Sequence, residues 1–203
     1  MDAKYRGEVE TPNPGSSGTG HTILAGLVQL MGEDAAFDYL KRLHRNVTQS
    51  TRSGQAQAQA KGVAKGVAKG VAKRVAKGEV GIGVSCSFGF ENERQQGFTM
   101  VKSAAPCEGT GYEIGGIALV KGGRNREAAR RHHDWLMSPA GQGIGARANS
   151  LQVPANQTFA PDARIPNLDN VRLVKYDFQK YGKAVERKRL IERWAREVNA
   201  LPR

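Results

Sequence analysis

The sequence predicts an α/β fold, a mixed sheet flanked by helices, and three observations carry that expectation. Short apolar or alternating segments recur between longer helical patterns, the order expected when helices cover a sheet. An apolar run from Ile23 to Met31, interrupted only by Gln29, follows the cap-forming residues Ser16, Ser17 and Thr19, which reads as a helix with a defined start. The segment Lys183–Asn199 spaces Val185, Leu190, Ile191, Trp194 and Val198 as one apolar helix face.

The elements follow in chain order. Residues 8–12 read as a short strand, and Asn13-Pro-Gly-Ser-Ser-Gly-Thr19 as a turn-rich loop feeding the first helix. Gly32 is the expected stop, and residues 33–45 form a second helix through Phe37, Leu40 and Leu43. Residues 47–50 are expected as a strand. Residues 79–85 alternate as a buried strand with Val80, Ile82 and Val84 on one face, and residues 98–101 as an edge strand. A strand is expected over residues 114–120. A helix capped by Asn125 follows over residues 126–137, then another from Ser138-Pro139, where proline suits the first turn. Residues 150–170 are irregular, and residues 171–174 read as a last strand before the C-terminal helix.

The chain has 203 residues and a net charge of +12, a balance that first suggests nucleic acid or an anionic membrane surface. The charge is unevenly placed. Lys-Gly-Val-Ala recurs from Lys61, placing Lys61, Lys65, Lys69, Lys73 and Lys77 four residues apart, with Arg74 beside them and no acid within the stretch. That stretch carries half of the net charge. A four-residue period gives slowly drifting stripes on a helix, which its glycines and like charges weaken. It has no interleaved aromatic residues of the kind single-strand binding uses. A solvated, duplicated helix is therefore favoured over a nucleic-acid or membrane binder acting through Lys61–Lys77.

Two cysteines exclude a disulfide-dense scaffold and a four-cysteine zinc site. Cys86 and Cys107 are expected as separate buried thiols. No apolar run reaches the ~18 residues of a membrane span. The first residues, MDAKYRGEVE, lack the apolar core of a signal peptide, so the chain as written is expected in the cytoplasm. No phosphate-binding P-loop and no G-x-S-x-G elbow occurs. His132 and His133 are adjacent, so they do not share the helix face a metal pair needs. No nucleophile–base pair stands out. Neither catalysis nor a cofactor nor a metal site is expected.

Three loops remain as candidate sites. Ser16, Ser17, Gly18 and Thr19 open the first helix, where unpaired N–H groups and the helix dipole favour an anion; an ordinary capped helix is the other reading. Ser53 and Gly54 precede the repeat and offer a second helix start or a simple cap. Thr110, Gly111 and Tyr112 precede the predicted strand at residue 114, as a cleft loop or a structural turn.

Taken in order, the segments YRGEV, NPGSSGT, LVQLMGEDAAFDYLKRLHRN, TRSG, AKGEVGIG, CEGTGYEIG, ALVKGGRN, DWLMSPAGQ, QVPAN and VKYDF resemble the substrate-binding proteins of ABC importers. The resemblance is to the ferric-iron and phosphonate type of the two-lobed class II periplasmic binding proteins. It implies a periplasmic protein that captures a small anionic solute between two α/β lobes and delivers it to an ABC permease, without chemistry. It implies that residues 1–105 form the second lobe, with an expanded repeat helix at 54–78. Residues 106–150 would be the returning crossover and the remaining part of the first lobe, and 151–203 the hinge return and C-terminal helix. Ligand contacts would come from Ser16, Ser17, Gly18, Thr19, Ser53, Gly54, Ser85, Thr110, Gly111 and Tyr112.

Two departures from the family pattern shape the expectation. The family carries a signal peptide and most of a first lobe before the YRGEV segment, so an N-terminally truncated protein is expected, either competent in binding or a fragment without transport function. A homodimer through the incomplete lobe follows from the apolar surface this would expose. The iron-binding branch also places a tyrosine pair where this chain has Phe88 and Phe90, which offer no oxygen donor. A phosphonate, a phosphate ester or chelated ferric iron is therefore the expected solute, and nucleic acid is disfavoured.

Overall fold

The structure is a computed structural model that describes the backbone of residues 2–51 and 68–202 and the side chains of residues 2–48 and 71–202. Among the described residues its sheet has three strands, β1 (Val9–Pro12), β2 (Val47–Thr51) and β3 (Ile82–Gly83), in the order β2-β1-β3. Both pairings are parallel, not mixed as the sequence suggested: Val9 lies opposite Val47 on one side and Ile82 on the other. Parallel strands need crossovers, and helices supply them. α1 (Gly18–Met31) and α2 (Glu33–His44) join β1 to β2, and α3 (Ala68–Ala76) precedes β3. α4 (Ser87–Gln95) follows β3.

The main core lies between α1, α2 and the C-terminal helix α8 (Ala184–Trp194). Leu24, Ala25 and Val28 of α1 meet Ala36, Phe37 and Leu40 of α2 and Leu190, Trp194 and Val198. Gly32, at φ 83°, separates α1 from α2 at the predicted place. α8 runs over Ala184–Trp194 and continues as one π turn, Ala195–Asn199. Val185, assigned to its apolar face, is instead 81% exposed. The short α7 (Phe178–Tyr181) adds Tyr181 to the core.

Four charged side chains fasten this packing. Arg189 donates to both carboxylate oxygens of Glu33, at 2.8 Å each, and Arg193 adds a bond to Glu33 at 2.7 Å and one to Asp34 at 2.8 Å. Glu33 and Asp34 sit in the first turn of α2, where the helix dipole also favours negative charge.

Several predicted strands do not form. Residues 98–101 make a turn and coil, residues 114–120 have no strand partner among the described residues, and residues 171–174 contribute one bridge, between Leu173 and Thr110. The strand expected over residues 79–85 is reduced to Ile82–Gly83, with Val80 buried but Ile82 exposed. α5 (Arg126–Met137) and α6 (Pro139–Arg147) form as expected; Ser138 caps α6, but Asn125 makes no side-chain cap bond to α5. Every residue from Glu113 to His132 is exposed. Cys107 is exposed too, not buried, and both cysteines are free thiols.

Hydrogen bonds from Arg189 and Arg193 hold the Glu33 carboxyl down to about 2. A carboxylate whose folded value is depressed stabilises the fold fully above its ordinary value, near ~4.3, and loses that contribution as pH falls towards 2. Glu33→Gln should lower the melting temperature by a few degrees at pH 7, and the gap from wild type should close between about pH 4.5 and 2, measured by thermal melts across that range.

Candidate functional site

The site is built where β1 and β3 end. Ligands in parallel α/β sheets collect outside the carboxyl ends of the strands, and here two helix starts meet at that edge. After β1 the chain turns at Asn13, whose Oδ1 accepts from the Gly15 N–H at 2.8 Å. Ser17 then caps α1, its Oγ accepting from the Gly20 N–H at 3.1 Å. The first-turn N–H groups of Gly18 and Thr19 have no acceptor within the helix. Gly18 and Ser16 are exposed, Thr19 is half-buried, and Ser17 is buried. The structure thus commits the Ser17 oxygen to the cap.

After β3, the Val84 N–H donates to the Glu10 carbonyl at 2.9 Å, carrying the parallel pairing to the threshold of α4. Ser85 and the N-cap residue Cys86 follow, and Cys86 makes no side-chain cap bond. Thr19 Oγ1 lies 3.6 Å from Cys86 Sγ, so the two helix starts touch. Burial pushes the Cys86 thiol up, against the opposing effect of Thr19, which keeps it a neutral thiol.

The crossover loop passes beside α1. The Thr110 N–H donates to the Arg172 carbonyl, and the Val174 N–H to the Thr110 carbonyl, both at 2.9 Å. Gly111 packs on Thr22 of α1. Tyr112 stacks edge-on against Phe178, with ring centroids 5.4 Å apart. Glu113 then accepts from Thr22 Oγ1 at 2.5 Å, with its carboxylate close to Gly18. One further contact ties this edge to the C-terminal segment. His21, buried in the first turns of α1, lies 3.0 Å from the Tyr181 carbonyl through Nε2; a carbonyl only accepts, so Nε2 carries the hydrogen.

The structure therefore brings Ser16, Ser17, Gly18, Thr19 and Ser85 to one edge of the sheet, whereas Thr110, Gly111 and Tyr112 lie beside the body of α1, Gly111 against Thr22 and Gly26 and Tyr112 against Phe178. Ser53 and Gly54 lie outside the described residues. Sequence reasoning did not place Glu113, Thr22 or Cys86 in the site. Glu113 adjoins the GTGY loop, but nothing local marks it as facing the first helix. Cys86 is not a capping residue type, so the start of α4 carried no signal. Among the described residues no group of three His, Cys, Asp or Glu side chains is placed to hold a metal ion, and no helix is long and apolar enough to cross a membrane.

Paired helix starts at the carboxyl ends of parallel strands lie where α/β sheets commonly place a ligand. The family model for bacterial extracellular solute-binding proteins matches residues 1–180, and the chain belongs to that family. It is 40% identical over 200 residues to an uncharacterized protein of Haemophilus influenzae, covering 97% of this chain and 53% of that protein. Among solved structures, the periplasmic binding protein AfuA of Actinobacillus pleuropneumoniae, with exogenous fructose-6-phosphate bound, superposes with a TM-score of 0.83 at 37% identity. That match covers 98% of this chain and 58% of AfuA. The periplasmic binding protein P5PA superposes at 0.80 and 30% identity, covering 97% of this chain and 58% of that one. The chain thus spans a little over half the length of these relatives, and its fold is that of the periplasmic binding proteins.

Gly20 presses α1 against the end of β1. A Cβ there would lie 2.8 Å from the Pro12 carbonyl oxygen and 2.9 Å from Asn13 backbone atoms, with only backbone to yield. Gly20→Ala should destabilise the fold by about 1–3 kcal/mol through overpacking. Ser17→Ala should cost about 1 kcal/mol through loss of the cap. Urea titrations of both variants measure these costs.

Proposed function

We propose that this chain is the solute-capturing part of an ABC-importer binding protein whose solute is a small phosphorylated or phosphonate-like anion, passed on to a membrane permease. The observation that carries this reading is the contact between Thr19 and Cys86, which sets two helix starts side by side. Each start presents N–H groups and the positive end of a dipole to an anion. Gly18 and Thr19 would donate from one helix, and Ser85 with the first turn of α4 from the other. Ser16 would add a hydroxyl. Ser17 would act through the cap, and Thr110, Gly111 and Tyr112 would hold the facing loop.

Glu113 refines the class of solute. A carboxylate beside an anion site repels a bare anion but accepts hydrogen bonds from hydroxyl groups. A phosphorylated polyol satisfies both features, with its phosphate at the helix starts and its hydroxyls towards Glu113. That AfuA carries fructose-6-phosphate supports this chemistry. Direct capture of bare ferric iron fits less well, because Phe88 and Phe90 offer no oxygen ligand and ferric iron favours hard oxygen donors.

The exposed strip from Glu113 to His132, with Ile114 67% and Val120 83% exposed, bears on partners. We infer that the remaining length of a full binding protein packs on it. Sedimentation of the chain alone reads the alternative: a homodimer that Val120→Asp dissociates would favour self-association, and a monomer would reject it.

Isothermal titration with fructose 6-phosphate, inorganic phosphate, methylphosphonate and ferric citrate tests the proposal. Fructose 6-phosphate should bind tightest. Glu113→Gln should weaken it about tenfold, equivalent to ~1.4 kcal/mol, while leaving inorganic phosphate unchanged or tighter. Absence of saturable heat with all four ligands overturns the reading.

A further inference from the structure

We propose that Arg74 sets the register in which the Lys-Gly-Val-Ala repeat docks on the sheet, and thereby the approach of β3 to the site. Apolar packing cannot set it. α3 lays Val71 and Val75 against β3, where a Cβ on Gly83 would come within 2.8 Å of either side chain. Ala72 packs with Phe90 and Val101, joined by Val75 and Ala76. The sequence offers the same Val-Ala pair at 63–64, 67–68, 71–72 and 75–76. A slip of four residues therefore presents the same apolar groups to the same surface.

The helix end is nearly as degenerate. α3 closes with the Gly78 N–H donating to the Val75 carbonyl at 3.0 Å and the Glu79 N–H to the Arg74 carbonyl at 2.9 Å, with Gly78 at φ 70°. This is a Schellman closure, which wants glycine at the left-handed position. Gly62, Gly66 and Gly70 each follow Ala-Lys, or Gln-Ala-Lys in the first case, just as Gly78 follows Ala-Lys. The repeat thus carries spare closure sites.

Arg74 breaks the degeneracy. It stands where the three earlier units have Gly62, Gly66 and Gly70. Its Nη1 lies 3.1 Å from Oε2 of Glu10, which is fully buried on the central strand, and its Nε donates to Glu79 at 2.8 Å. A four-residue slip towards the N-terminus sets Gly70 opposite Glu10 and forces Arg74 into the left-handed closure position. An eight-residue slip restores a glycine closure, at Gly70, but leaves Gly66 opposite Glu10. Each slip takes Arg74 from a buried carboxylate, which is strongly unfavourable. A slip the other way runs the helix through Gly78 to Val80, leaving one residue before β3. A single charged pair among identical apolar units is a register device.

Hydrogen exchange read by mass spectrometry on the full chain tests this through the amides of Lys77, Gly78 and Glu79, which close the helix. Wild type should protect them. Arg74→Gly, which makes the units alike, should reduce that protection. The decisive variant moves the arginine by one unit, Gly70→Arg with Arg74→Gly. Its closure should shift to residue 74, with at least a tenfold loss of protection at residues 77–79 and a higher melting temperature than Arg74→Gly alone. Wild-type protection at residues 77–79 in the double variant overturns the proposal. So does a double variant that melts no higher than Arg74→Gly, or that fails to fold.

Discussion

Because β1 pairs in parallel with β2 on one side and β3 on the other, the chain leaves all three strands at the same edge of the sheet. The site depends on this constraint. A hairpin between β1 and β3 would send their following loops to opposite ends and separate α1 from α4. Parallel pairing instead forces a crossover before each return, and the helices that follow β1 and β3 start at the same edge. The hydroxyl-rich loop after Pro12 and the Ser85–Cys86 loop after β3 become neighbours through topology, although 67 residues separate Thr19 from Cys86.

Two glutamates are tied down by arginines from the helices that pack beside them. Glu10 takes Arg74 from the helix that covers it, and Glu33 takes two arginines from the last helix. The two arrangements act at different levels. The Glu33 group is partly exposed, so solvent screens it and its main effect is to orient α8 across α1 and α2. The Glu10 pair is deeper, where removing one partner costs far more than the pair contributes. Buried charge of that kind selects among similar packings, and a repetitive helix is the setting where selection is needed.

Ser17 and Gly32 were readable from sequence because capping and left-handed closure are local requirements met by few residue types. The elements that failed depend on groups far along the chain. Residues 114–120 are apolar on both faces, the pattern of a strand buried within a parallel sheet, yet among the described residues they find no strand to pair with. Composition reported what the segment suits, not what it meets. Val185 fits the helical apolar pattern but lies before the stretch of α8 that touches the core. In the site, the α1 loop was legible from its hydroxyls and glycines. The α4 start was not, because a cysteine cap makes no side-chain bond, and Glu113 enters only through its long-range bond to Thr22.

The net charge of +12 takes a different meaning once these contacts are drawn. Half of it lies in one repeat, and within that repeat Arg74 is turned inward to Glu10 and Glu79. At the C-terminus, Arg189 and Arg193 are spent on Glu33, Asp34, Glu186 and Glu197. Among the described residues that form the candidate site there is no lysine or arginine, and one glutamate. An anion held there would be recognised by oriented N–H groups and hydroxyls. Dipoles of this kind fall off faster with distance than full charge, so they reward a ligand that fits closely and do little for one that merely carries negative charge. This separates the electrostatics of this edge of the molecule from that of basic surfaces, which bind polyanions by charge density.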